Sequence, residues 1–153
     1  DSKIVNAYLM ALPHTITAWD KLDTLTPAAA CVIGQGCRAQ VEHYIDKVTA
    51  QAYLGHWPVI VDEIWNHQLR LLIVNAAYPN ISDVCNALCE RGAEVGVGWF
   101  VRGDGQMQFS LRSVGDIDVS KLAKIYGGGG HSNAAGFQVP LDRGLTILSG
   151  WVA

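Results

Sequence analysis

The chain has 153 residues, half of them hydrophobic and 16% charged, which excludes a disordered chain and fits a domain that buries its own core. A net charge of −3 and a pI of about 5.9 exclude a broad basic face, so any nucleic-acid contact must be local, through a few groups. No apolar run is long enough to span a membrane and no secretory signal precedes Asp1, while the missing Met at position 1 reads either as a segment cut from a longer protein or as processing.

Residues 2–12 place Ile4, Val5, Tyr8, Leu9 and Leu12 on one helical face, and Pro13 ends that run. A short helix follows at 15–25, with Ile16, Trp19, Leu22 and Leu25 at regular intervals. Thr26-Pro27 is an N-cap followed by proline in the first turn, and the helix it opens is expected to reach about Leu54. Gly34 and Gly36 either weaken its first turns or admit a close neighbour. Residues 59–65 and 69–74 are rich in β-branched and aromatic residues and predict a hairpin. Ser82 is expected to cap a helix carrying Val84, Cys85, Leu88 and Cys89, which Gly92 closes.

Val95, Val97, Trp99 and Val101 alternate with Gly96, Gly98 and Phe100, a strand able to pack closely on one face. Residues 102–105 turn the chain, 107–112 return it, and Asp118 caps a helix over Val119, Leu122, Ala123 and Tyr126. A last strand at 136–139 precedes a closing helix, suggested by Leu141, Leu145, Leu148 and Val152. The order is helices, then ββ-α-ββ-α-loop-β-α. That is an α/β fold, a mixed β-sheet flanked by helices and preceded by a helical connector, with the boundary at about Gly55.

Cysteines 31, 37, 85 and 89 have spacings that match neither a zinc nor a thioredoxin pattern. They read as reduced, mostly buried thiols of a cytoplasmic protein, and no residue of the chain is assigned to a metal.

Four successive glycines, Gly127, Gly128, Gly129 and Gly130, then His131, follow the Asp118-capped helix. One glycine stops a helix, so the surplus reads as a loop that bends its amides toward an anion, phosphate being the usual one. A flexible linker is the alternative, but the run ends in Ala134-Ala135-Gly136-Phe137, which looks packed. His131 adds a hydrogen-bond donor, with Ser132 and Asn133 as further donors, although Asn133 also suits a turn cap. Arg112 lies in the strand before that helix, and its guanidinium suits bidentate phosphate recognition; pairing with Asp116 or Asp118 is the competing role.

GGGH at 128–131, SNAAGF at 132–137 and Ser110-Leu111-Arg112-Ser113 upstream together resemble the DHHA1 domain. This is the C-terminal substrate-binding half of DHH-family phosphoesterases: RecJ-like exonucleases, oligoribonucleases and cyclic dinucleotide phosphodiesterases. The resemblance is specific from about Asn75 to Val139 and weak toward the N-terminus. It implies that residues 1–55 connect from a missing N-terminal DHH domain and that 56–153 form the substrate-binding domain. It implies substrate contacts from Arg112, Gly128, Gly129, Gly130, His131 and Asn133. Asn75 and Ser82 resemble positions that shape the cleft, with a strand end and a helix cap as their other readings.

The family hydrolyses phosphodiesters with two metal ions held by aspartates and histidines of the DHH domain. No Asp-His-His string occurs in this chain, so it supplies no catalytic residue. Mn2+ or Mg2+ is expected in the missing domain, and this chain alone is expected to be inactive. The implied partners are that DHH domain and a short oligonucleotide, cyclic dinucleotide or other phosphoester. A free-standing nucleotide- or RNA-binding module without catalysis, and a structural domain with a glycine hinge, are the competing functions.

Overall fold

The computed structural model describes residues 2–13, 15–20, 24–57 and 68–152, which fall into two compact units, Asp1–Asp46 and Lys47–Ala153. The first unit holds helices α1 (Ser2–Ala11) and α2 (Ile16–Asp20) and most of α3 (Pro27–Thr49). The Thr26 hydroxyl accepts from the Ala29 amide at 3.2 Å, the N-cap its sequence announced. Gly34 is buried, and a Cβ there would run into the Ile4 carbonyl, so the glycine serves close helix packing within this unit. Among the described residues no helix is long and apolar enough to cross a membrane.

Helix α3 stops at Thr49 rather than Leu54, and Tyr53–His56 forms strand β1. Residues 59–65, half of the expected hairpin, lie outside the described residues. The antiparallel partner of β2 (Arg70–Asn75) is β1, with Tyr53 opposite Ile73. Helix α4 (Ile81–Glu90) then leads to β3 (Val95–Val101), parallel to β2, and β4 (Gln106–Ser113) returns antiparallel to β3. Helix α5 (Val119–Ile125), β5 (Gly129–His131), β6 (Ala134–Pro140) and α6 (Leu141–Val152) complete the chain. The sheet is six-stranded and mixed, in the order β1-β2-β3-β4-β6-β5.

Alternation sorts the side chains to two faces. On one face Leu71, Ile73, Val95, Val97, Met107, Phe109, Leu111, Phe137 and Val139 pack under α5 and α6. Phe109 stacks on Phe137 at 4.5 Å, and Trp151 of α6 meets the Phe109 ring edge-on at 5.6 Å. Each such ring contributes roughly 1.5–3 kcal/mol by burial. Helix α6 turns a different side inward than its leucines suggest. Gly144, Ile147, Leu148 and Trp151 are buried, whereas Leu141, Leu145 and Val152 are exposed.

Helix α4 covers β3 and β4 on the opposite face. A Cβ on Gly96 would collide with the Cys85 carbonyl, and one on Gly98 would stand 2.6 Å from Ile81. The bare glycine stripe of β3 is therefore the seat of α4. From α4 the thiols of Cys85 and Cys89 donate to the Ser110 and Arg112 carbonyls at 3.5 and 3.4 Å. Burial pushes the Cys85 thiol up to about 12, with the Arg112 charge a smaller opposing influence, and burial raises Cys89 as well.

Candidate substrate-binding face

The glycine run is two structures. Gly127, at φ 79°, donates its amide to the Lys124 carbonyl at 3.0 Å, and Gly128 donates to Ala123 at 2.9 Å. This paired closure ends α5 and uses up both donors. A Cβ on Gly128 would strike the Gly136 carbonyl and Phe137, so this position has no space for a side chain. Gly129 and Gly130 then join His131 in β5, a strand of the sheet rather than a loop of converging amides. Gly130 has φ 147°, and its Cβ would meet the Ala134 carbonyl and Ala135. At Gly129 a Cβ would meet nothing.

Register then brings distant residues into rows. Arg112 stands opposite Gly96 on one side and Ala134 on the other, and Ala134 stands opposite His131. Directly opposed residues of antiparallel strands point to the same face. Arg112 and His131 therefore share the α4 face, two strands apart, roughly 10 Å between backbones. The neighbouring row is Gly98, Ser110, Gly136 and Gly129, all small. The row beyond it pairs Gln108 with Gln138. Helix α4 lies over the β3 end of these rows, whereas at the β6–β5 end Gln138 and His131 are exposed. The result is a shallow face of small residues, Ser110, Gly136 and Gly129, between the Arg112–His131 row and the two glutamines, with the Gln108 amide folded in over Gly136 onto the Phe109 carbonyl at 3.3 Å.

The Arg112 side chain is held in place. Its Nη2 donates to the Ser82 Oγ at 2.6 Å, and its Nη1 to the Leu111 carbonyl at 2.9 Å. Among the described residues no carboxylate pairs with it. Asp118 instead accepts from the Ser120 amide at 3.0 Å and the Ser120 hydroxyl at 2.6 Å, which lowers its carboxyl below the ordinary value. A guanidinium carries five N–H donors, so Arg112 keeps donors and an uncompensated charge for a ligand.

Ser82 is one residue inside α4 rather than at its cap, which is Asn80, and its hydroxyl serves Arg112. His131 is exposed, and its imidazole has no hydrogen-bond partner among the described residues. Asn133 directs its amide nitrogen to the Ser113 hydroxyl at 3.2 Å and the Gly115 carbonyl at 3.1 Å, bracing the β4–α5 connection against the β5–β6 turn. Asn75 ends β2 opposite Trp99, on the face of Leu71 and Ile73, away from Arg112. The structure thus gathers Arg112, Ser82, Gly129 and His131, while Gly128 and Asn133 are spent on the scaffold. Ser110, Gly136, Gln108 and Gln138 escaped the sequence reading. Their strands alternate correctly, but only the β4–β6 register shows that they share a face with Arg112.

Among the described residues no three His, Cys, Asp or Glu side chains come together as a metal-ligand set. The described residues do not fit the metal pair that DHH chemistry uses.

The fold is an α/β domain with an arginine and a histidine across an open sheet face. Residues 74–152, more than half of the chain, match the family model of the DHHA1 domain, and the chain belongs to that family. No curated protein matches the sequence. Among solved structures it is similar to a pGpG-specific phosphodiesterase, PggH, from Vibrio cholerae, with TM-score 0.54 and 13% identity over 81% of this chain and 41% of that one. It is also similar to an exopolyphosphatase-related protein from Bacteroides fragilis, with TM-score 0.50 and 16% identity over 71% of this chain and 33% of that one. The chain spans well under half the length of either structure, and the likeness at these identities is one of fold.

Proposed function

We propose that the chain is the substrate-binding part of a DHH-family phosphoesterase acting on short oligonucleotides or related phosphodiesters. In this reading Arg112 holds a phosphate by charged hydrogen bonds, with Ser82 fixing the guanidinium. His131 and the open edge of β5 hold the same or an adjoining group from the other side. The small floor lets the ligand lie against the sheet backbone. The chain contributes binding and orientation, presenting the scissile phosphodiester to metal-bearing chemistry supplied by an N-terminal DHH domain, where Mn2+ or Mg2+ would act.

The observation that carries the proposal is the row Arg112, Ala134, His131 on a sheet face that α4 leaves open at β6 and β5. Membership of the DHHA1 family and a fold shared with a phosphodiesterase support it. Calorimetric titration with a 5′-phosphorylated dinucleotide tests it. Losing a charged hydrogen bond costs roughly 1.5–3 kcal/mol, so Arg112→Ala should weaken binding about ten- to a hundredfold. Arg112→Lys should recover only part, because the fork is lost. Unchanged affinity in Arg112→Ala refutes the reading.

A further inference from the structure

We infer that Tyr126, on the opposite face of the sheet from Arg112, is a positioning residue that sets His131 for the ligand by fixing the start of β5. The inference rests on the reading of His131 as a ligand contact and adds a residue that acts through it. Strand β5 lies at the edge of the sheet and, among the described residues, pairs only with β6. Two of its three residues are glycines, so no pattern of side chains specifies its register. Register nonetheless decides where His131 points, because a slip of one residue carries it to the other face. The hold on β5 must therefore come from outside the strand.

Helix α5 supplies that hold at both ends. At the start of β5 the Gly128 amide donates to the Ala123 carbonyl at 2.9 Å, and beyond its end the Val119 amide donates to the Ser132 carbonyl at 2.8 Å. The strand takes its place from the helix, and Tyr126, the C-cap of α5, fastens the helix to the sheet. Its ring stacks on Phe137 of β6 at 4.7 Å and meets Trp57 edge-on at 5.6 Å. Gly128 lies against the same Phe137, which a Cβ at that position would strike. Tyr126 and Gly128 therefore close on one residue of β6, and the next pair formed is Gly129 opposite Gly136. These are contacts of the ring, so phenylalanine preserves them and leucine, which cannot stack, does not.

The test titrates a 5′-phosphorylated dinucleotide into the chain, Tyr126→Phe, Tyr126→Leu, His131→Ala and Tyr126→Leu/His131→Ala, at a temperature where melting curves show each folded. Losing one hydrogen bond at His131 weakens binding roughly two- to tenfold. Tyr126→Leu should match that loss, and Tyr126→Phe should bind like the unsubstituted chain. The double variant should bind no more weakly than His131→Ala, because the ring acts through the histidine. Ile147→Ala, which empties a buried position of α6, should lower the melting temperature and leave affinity unchanged, separating position from stability. Without ligand, hydrogen exchange in Tyr126→Leu should quicken at the β5 amides and stay slow between β3 and β4. Unchanged affinity in Tyr126→Leu beside a weakened His131→Ala overturns the inference alone. So do losses that multiply in the double variant, an equal affinity loss in Ile147→Ala, or unchanged exchange in β5. An unaffected His131→Ala, or failure of the unsubstituted chain to bind, instead breaks the reading of His131 as a ligand contact and the inference with it.

Discussion

The Arg112 guanidinium donates to the Ser82 hydroxyl at 2.6 Å across 30 residues of sequence, joining the middle of the sheet to the first turn of α4. The bond draws the long side chain back along its strand and fixes where its remaining donors point. Ser82→Ala should therefore leave the fold intact and weaken phosphoester binding by about 1 kcal/mol, or roughly fivefold. In a double-mutant cycle with Arg112→Ala the two losses should not add, because the hydroxyl acts through the guanidinium. Additive losses would mean that Ser82 contacts the ligand independently.

The divided glycine run predicts three different outcomes for one substitution. Gly128→Ala and Gly130→Ala force a methyl into backbone and should each destabilise the domain by about 1–3 kcal/mol in urea unfolding. Gly129→Ala meets open space and should leave stability nearly unchanged. Its methyl would project from the open face, so its cost should appear in ligand affinity instead. Equal destabilisation at all three positions would contradict the division.

Much of this arrangement was legible in the sequence, and the misses have physical causes. The alternation of Gly96 and Gly98 with Val95 and Val97 announced β3 and a face able to pack closely, and the structure seats α4 on that face. The Asp118 cap and the residue 102–105 turn were equally local signals. Strand β5 was not legible, since three residues with two glycines have no strand propensity and are extended only by pairing with β6. The inward side of α6 was only partly legible, through Leu148, because Gly144, which packs on Met107, carries no hydrophobic signal of its own. Ser82 looked like a cap because the sequence cannot show that an arginine 30 residues later reaches it.

Asn133 should separate from the binding residues. Its amide nitrogen braces Ser113 and Gly115, so Asn133→Ala should lower stability by about 1 kcal/mol. Ligand affinity, measured where both proteins are folded, should change little. A large affinity loss at unchanged stability would return Asn133 to the ligand.

The buried Cys85 thiol gives a pH dependence with a definite sign. Its value in the folded chain is about 12, above the roughly 8.5 of a free thiol, so the folded state holds a proton that the unfolded state releases. That contribution is fully present below the free-thiol value and is lost as pH rises toward about 12. Unfolding curves between these limits should show falling stability, and Cys85→Ala should make the decline shallower. An identical slope in the variant would exclude the thiol as its source.

The central claim is that the open face carrying Arg112 and His131 takes the substrate, and amide chemical-shift mapping of the labelled chain tests it most directly. Addition of a 5′-phosphorylated dinucleotide should move the amides of Gly129, Gly130, His131, Ala134 and Gly136 together with that of Arg112, and leave β1 and α6 still. Shifts confined to other elements, or no shifts at ligand concentrations that saturate the calorimetric titration, would contradict it.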